Sequence, residues 1–516
     1  MSADALRVYV EELIAVQGFP GFSVAVTDRG GIVTSEAFGL ASIETRAPVT
    51  RETLFEIGSI GKTFTAAVSL QLHDEGRLEL DAPVTGYLPW FEVHSEHAPI
   101  TIRHLLTHTS GLMVGAELSA SSRYDVWALR ETDAGFAPGT RYLYSNVAYR
   151  TLGFIIEELT GRPYPDALRE RILEPLALAR TEPEVTHAAR HRLAVAHERR
   201  YDDRPARRGD PWVPATWLET NTGDGSPAAT MEDLATFLRV LLNGGRGLLS
   251  AESFALMTTP AIEADDGWWY GCGLELRERE GRREIRHGGS MPGFGATMLG
   301  DLDSGLGVAV AVNATDERDL TEEVAAAILD LQRNRAEPSV EDPLSVAQAA
   351  EYAGAYTGEG RRLVLTAEGD RLLLDGQPLE PRGSDRFLAD RADLWHFLLG
   401  FRREDGQVVE ALHGGDVYRR EGAAEVLVPA PPPEWSAYTG HYRAYNPWYS
   451  NFHVVLRAGE LVLIWAWGSE LPLTQLDEGW FRVDDEWSPE RLRFDAIADG
   501  QALRATLAGE AYYRVP

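Results

Sequence analysis

Cysteine occurs once in the 516 residues, at Cys272, which excludes intrachain disulfides and any zinc site built on several thiolates. Lysine is just as scarce: Lys62 is the only one among 49 basic residues. No apolar run approaches the ~20 residues needed to span a bilayer. The opening MSADALRVYVEEL lacks a basic segment followed by an apolar one, so no secretory signal is expected. Positive charge is also short, with a formal net charge of −30. Nucleic acid and anionic membrane surfaces are therefore not expected as partners, because both are held by clustered cations. With 44% hydrophobic residues the chain can bury large cores, and its length exceeds that of one domain. These features describe a soluble, acidic, multidomain protein expected in the cytoplasm.

The scarcity of lysine gives its one occurrence weight. Arginine serves for salt bridges and solvation, but a pKa above ~12 keeps it protonated near neutrality. Lysine can lose its proton there when burial or a nearby cation lowers its pKa. Lys62 follows Ser59 by three residues in Phe55-Glu-Ile-Gly-Ser-Ile-Gly-Lys62. A helix is expected over 62–75, with Gly76 as its left-handed cap. Positions i and i+3 share a helix face, so hydroxyl and amine can meet, and the helix N-terminus favours a developing alkoxide. A neutral Lys62 can take the serine proton, making Ser59 a nucleophile able to form an acyl-enzyme.

Two further segments fit this chemistry. Tyr144-Ser-Asn146 follows the turn Phe136-Ala-Pro-Gly139. Tyr144, as a phenolate beside Lys62, would be a general base or proton relay, and Asn146 would donate a hydrogen bond to substrate. His287-Gly288-Gly289-Ser290 ends a strand. There the two glycines would admit a substrate backbone, and the Ser290 amide would pair with that of Ser59 as an oxyanion hole.

Other clusters read as structural. His104 and His108 have i, i+4 spacing, but no Glu follows His104 as a zinc helix requires. No metal and no cofactor is expected. His187, His191 and His197 lie among arginines and read as solvated surface. Cys272, in Trp268-Trp-Tyr-Gly-Cys-Gly273, has no basic partner nearby in sequence and reads as a packed strand residue. Ile57 stands where a G-x-S-x-G elbow needs its first glycine, which disfavours an α/β-hydrolase.

The organisation reads as α+β. A helix at 3–16 precedes strands at 22–27 and 31–38, and a helical, loop-rich section extends to about 260. Within it, Thr230-Met-Glu-Asp233 opens a helix that ends near Asn243-Gly244. Strands return at 284–286, 296–300 and 307–313, before a helix at 321–332. One sheet assembled from both ends of this segment is expected, flanked by helices and carrying a helical insertion. Linkers read at 335–345 and 429–433. They divide the chain into a domain at 1–335 and two smaller ones at 346–425 and 434–516. The last two look like an internal repeat. Tyr352-Ala-Gly-Ala-Tyr356 matches Tyr438-Thr-Gly-His-Tyr442, the segment at 364–369 matches 455–459, Arg386-Phe387 matches Trp480-Phe481, and Val417-Tyr-Arg419 matches Tyr512-Tyr-Arg514. Short alternating strands with Gly and Asp turns suggest small antiparallel β-barrels.

Ser59-x-x-Lys62, Tyr144-x-Asn146 and His287-Gly-Gly289, in this order, resemble the serine β-lactamases and penicillin-recognising hydrolases of the class C type. Thr101-Ile-Arg-His-Leu-Leu-Thr-His-Thr-Ser-Gly-Leu112 resembles a signature segment of that group. The likeness covers residues 1 to about 335. The pair of barrels after it makes the whole chain resemble the D-aminopeptidase branch of the S12 peptidases, whose catalytic domain precedes two lipocalin-like barrels. The resemblance implies that Ser59 is acylated and that Lys62 and Tyr144 share the proton. It places His287 where relatives carry a lysine that meets a substrate carboxylate. A neutral histidine supplies no such charge, so amides, short peptides read from the N-terminus, or esters are expected over β-lactams and carboxypeptidase substrates. By the same resemblance, the acidic stretch 477–486 of the last barrel is the candidate to meet a substrate ammonium, and a homodimer is expected. The expected activity is that of an aminopeptidase or amidase on a small-molecule or short-peptide substrate. The alternatives are an esterase of the same fold, or a non-catalytic penicillin-binding-like protein.

Overall fold

The structure, a computed structural model, describes residues 3–115, 121–264, 267–315, 320–333, 340, 342–358, 360–424 and 430–516. The linker expected at 335–345 lies largely outside the described residues, as does the start of the one at 429–433. The chain forms two units, residues 1–198 with 211–340, and residues 199–210 with 341–516.

In the first unit, α1 (Ala3–Gln17) leads into β1 (Gly21–Thr27) and β2 (Ile32–Gly39). The other strands come from the far end of the segment: β3 (Ile262–Glu263), β4 (Trp269–Tyr270), β5 (Glu275–Arg279), β6 (Arg282–Met291), β7 (Phe294–Asp301) and β8 (Leu306–Val312). They make one eight-stranded sheet in the order β2-β1-β8-β7-β6-β5-β4-β3. As expected, the two ends of the segment meet, with Val24 opposite Val310 in the antiparallel β1–β8 pair. All of β1 and nearly all of β8 are buried. Being covered on both faces, they read as near-continuous Val and Ala runs and not as alternating ones.

One face packs Leu6, Val10 and Leu13 of α1, with Val324, Ile328 and Leu329 of the helix Leu320–Gln332, on Val24, Val308 and Val310. The other face meets the helix Met231–Leu242. Its N-cap Thr230 accepts the amide of Asp233 at 3.3 Å, and a Cβ on Gly307 would come within 2.5 Å of Leu238. Between sheet and helical insertion lies α2 (Gly61–Asp74), buried from Gly61 to Leu70. A helix buried all round must satisfy its polar side chains internally. Thr63 donates to the Gly273 carbonyl at 2.8 Å, and Thr65 to that of Gly223 at 2.6 Å. Next to it runs α3 (Asn146–Thr160), capped by Ser145 and ended by Gly161 at φ 69°. Among the described residues no helix is long and apolar enough to cross a membrane.

The second unit holds two antiparallel β structures. The first has nine strands, from Gly354–Gly358 to Asp416–Arg420, and is nearly closed. The second has eight, from Gly440–Arg443 to Glu510–Arg514, and is a closed barrel. The repeat is visible in atoms: Tyr356 donates to the Tyr352 carbonyl and Tyr442 to that of Tyr438, each at 2.8 Å. Phe387 and Phe481 occupy matching core positions beside Tyr352 and Tyr438. Pairing Val417-Tyr-Arg419 with 512–514 is off by one residue. Arg420 lies opposite Tyr356 as Arg514 lies opposite Tyr442. By the same registers Val364 stands level with His453 and not with Val455. The first offset, of one residue, exchanges inward and outward faces, and the second, of two, keeps the face; chemical similarity of short segments detects neither. His197 also departs from expectation: it is buried on the strand His197–Arg199, its Nδ1 3.2 Å from the Asn313 carbonyl.

Candidate active site

A tight helical turn, Gly58–Ile60, carries Ser59 into the start of α2. Gly58 has φ +49°, and a Cβ there would press within 2.7 Å of the Ser290 amide on β6. The turn and β6 are thus locked face to face. Lys62 is fully buried, and its Nζ lies 3.0 Å from Ser59 Oγ and 2.6 Å from the Asp224 carbonyl. Burial pulls its pKa down to about 7; the Asp224 carboxylate opposes this and the Arg150 guanidinium adds to it. Much of the amine is therefore uncharged at neutral pH, the state in which it can accept a proton.

The Tyr144 ring lies 4.9 Å from Lys62 Nζ. Tyr144 keeps part of its ring open, yet burial pushes its phenol well above its ordinary pKa, with a hydrogen bond to Ser59 opposing. Tyr144 is thus a phenol here and not the expected phenolate, because burial penalises the anion. It can still relay a proton by giving one as it receives one. His287 is buried, and burial followed by the charge of Lys62 pushes its pKa down to about 3. Its Nδ1 lies 2.6 Å from the Gly288 carbonyl and its Nε2 3.1 Å from the Tyr270 hydroxyl. These partners suit a neutral ring that donates from Nδ1 and accepts at Nε2.

Ser59, Tyr144, His287, Gly288, Gly289 and Ser290 line one cavity of about 300 Å³. Asn146, half-buried at the first position of α3, is not part of its wall. The charged lining residues are Glu275, Glu322 and Arg286, with Arg286 paired to both carboxylates. The glycines divide their roles. A Cβ on Gly288 would meet nothing within 4 Å, whereas one on Gly289 would lie 1.9 Å from the Ile57 carbonyl and 3.0 Å from the Ser59 amide. Gly289 therefore serves the packing of β6 on the turn that carries Ser59, and only Gly288 leaves the open space expected for a substrate backbone. Gly289→Ala is expected to cost ~1–3 kcal/mol by overpacking, a fall in Tm of roughly 2–10 °C. Gly288→Ala is expected to melt like the parent. Differential scanning calorimetry of the two variants checks this.

Further side chains stand around these residues. His108 is buried at φ +54°, a rare conformation for a side-chain-bearing residue. Its ring stands 4.3 Å from Tyr144 and 4.7 Å from Tyr270, and its Nδ1 accepts the Ser145 amide at 3.0 Å. The segment 101–112 was a usable pointer to it. Tyr270, Arg150 and Asp224 gave no comparable signal. His104 caps its own helix, with Nδ1 accepting the Thr101 amide at 3.1 Å. Cys272 is buried, and burial pushes its thiol up to about 12. It sits in the bend before β5 and not in a strand. The acidic stretch 477–486 lies at the hairpin of Glu470–Asp477 and Trp480–Val483 in the second unit.

A family model described as Beta-lactamase matches residues 6–333. The chain belongs to the beta-lactamase family. Among the relatives of this family member, penicillin-binding protein 4 of Amycolatopsis lactamdurans is 31% identical over 369 residues, 66% of this chain and 94% of that protein. A D-aminopeptidase of Brucella anthropi is 30% identical over 310 residues. That match covers 56% of this chain and spans 55% of the relative's length. Among solved structures, the octameric penicillin-binding protein homologue from Pyrococcus abyssi has a TM-score of 0.62 at 25% identity, covering 81% of this chain and 100% of that one. The family match ends at residue 333, ahead of both β structures of the second unit.

Proposed function

We propose that this beta-lactamase family member is a serine hydrolase of amide and peptide bonds, an aminopeptidase or amidase of the D-aminopeptidase type. One observation carries the reading: a buried amine, tuned close to neutrality, 3.0 Å from the Ser59 hydroxyl. Ser59 Oγ attacks the substrate carbonyl as Lys62 Nζ takes its proton. The amides of Ser59 and Ser290 hold the oxyanion. The C–N bond then breaks, and the leaving amine receives the proton from Lys62 through the Tyr144 phenol. Water hydrolyses the acyl-enzyme by the reverse relay, returning the proton to Ser59.

The neutral ring of His287 and the double pairing of Arg286 leave these two lining residues without a free positive charge for a substrate carboxylate. That supports amide substrates over β-lactams or C-terminal peptidase substrates, and the Brucella anthropi relative supports the D-aminopeptidase branch. Self-association belongs to the proposal too, supported by the octameric Pyrococcus abyssi homologue. The test is a turnover panel of D- and L-amino-acid amides, short-chain esters and a chromogenic cephalosporin. Turnover of D-amides with little action on the cephalosporin is expected. Turnover confined to esters would make the protein an esterase, and preferential cephalosporin hydrolysis would overturn the substrate reading.

A further inference from the structure

Behind Lys62 lies a chain of charges that the hydrolytic steps do not touch. Asp224, whose carbonyl accepts from Lys62 Nζ, turns its carboxylate to Arg150, with Oδ2 3.1 Å from Nε. The same guanidinium donates from its NH1 nitrogen to Asp125 Oδ2 at 3.0 Å. All three side chains are at most 15% exposed. Arg150 reaches this place from α3, one turn after Asn146, and Asp224 from the loop ahead of the short strand Ala228–Ala229.

Among the described residues, several elements bring a group to the amine. Ser59 comes from the nucleophile turn, Tyr144 and Tyr149 place rings 4.9 and 5.8 Å away, and His108 and His287 both feel the lysine charge. Burial holds the two histidines neutral and the phenols protonated. Among the described residues, the formal charges that act on Lys62 are those of Asp224 and Arg150, with opposite signs. In a buried setting such charges are screened much less than at the surface.

We propose that the Asp125–Arg150–Asp224 chain sets the pH at which Lys62 can accept the serine proton, with Arg150 as the positioning residue that cancels the Asp224 carboxylate. The proposal rests on the reading of Lys62 as the base, and it makes a prediction of sign. Without the Arg150 charge, Asp224 stands uncancelled beside the amine, the ammonium is favoured, and the acid limb of kcat/KM moves to higher pH. Without the Asp224 charge, Lys62 faces Arg150 alone and the limb moves to lower pH. Removing both returns it towards the parent value. A merely structural role would not give shifts of opposite direction.

Lys62 is the only lysine, so full-length protein grown with ε-13C-lysine gives one side-chain signal whose titration is read without reference to turnover. Arg150→Gln is expected to raise the midpoint by about one pH unit or more, a tenfold change in the protonation ratio. Asp224→Asn is expected to lower it by a similar amount, and the double variant to lie between the two. Asp125→Asn, the gentlest change, leaves Arg150 less neutralised and is expected to give a smaller downward shift. It serves if the inner variants do not fold. A midpoint that stays put, or moves the same way in all variants, overturns the proposal. If the midpoint moves as stated while the limb of kcat/KM stays, the tuning stands and the base role of Lys62 falls.

Discussion

Lys62→Arg is expected to fold yet turn substrate over ~10²–10⁴ times more slowly, the usual contribution of a positioned acid–base group. The substitution keeps a positive charge and hydrogen-bond donors for Ser59 and the Asp224 carbonyl, both now served by Nζ. It removes the ability to be neutral, since arginine stays protonated throughout the working range. The buried amine has a pKa near 7 because its surroundings penalise charge, and a guanidinium in that place has no such escape. Comparing initial rates with the thermal melt of the same preparation separates lost chemistry from lost fold. A folded variant with turnover within ~10-fold of the parent would remove Lys62 from the proton path.

Ser59→Ala is expected to have the largest effect, a loss of about 10⁴–10⁶ in kcat, because without the hydroxyl no acyl-enzyme forms and the remaining groups have nothing to activate. The side chain is small and partly exposed at the cavity wall, so the fold is expected to survive its removal. Mass spectrometry after exposure to a fluorophosphonate is expected to find one adduct per chain, on Ser59 in the parent and absent from the variant. An unlabelled parent that binds substrate analogues without turnover would favour a non-catalytic penicillin-binding-like protein.

What the sequence made legible was local or terminal. Ser59 and Lys62 are three residues apart, so helix geometry alone brings them together. The strands 22–27 and 307–313 could be joined because both are apolar and bracket a helical section. The Tyr-x-Gly-x-Tyr repeat survives in both β structures as paired tyrosine hydroxyls on carbonyls. The features that escaped depend on distant chain segments or on burial. Tyr270 reaches His287 only because β4 pairs β5 and β5 pairs β6. Arg150 and Asp224 are 74 residues apart. The protonated state of Tyr144 and the burial of His197 follow from how much water tertiary packing removes, which spacing cannot express. The packing role of Gly289 needs the position of the Ile57 carbonyl, known only once β6 lies on the turn that carries Ser59.

The solitary, enclosed position of Lys62 has a consequence outside catalysis. Reagents and modifying enzymes that act on side-chain amines have a single target in this chain, and it lies at zero exposure beneath the cavity. Enclosure shields that target from acylating dyes, acetyl donors and ubiquitin-type conjugation. A lysine adduct would therefore count the molecules in which the packing around Lys62 has come open.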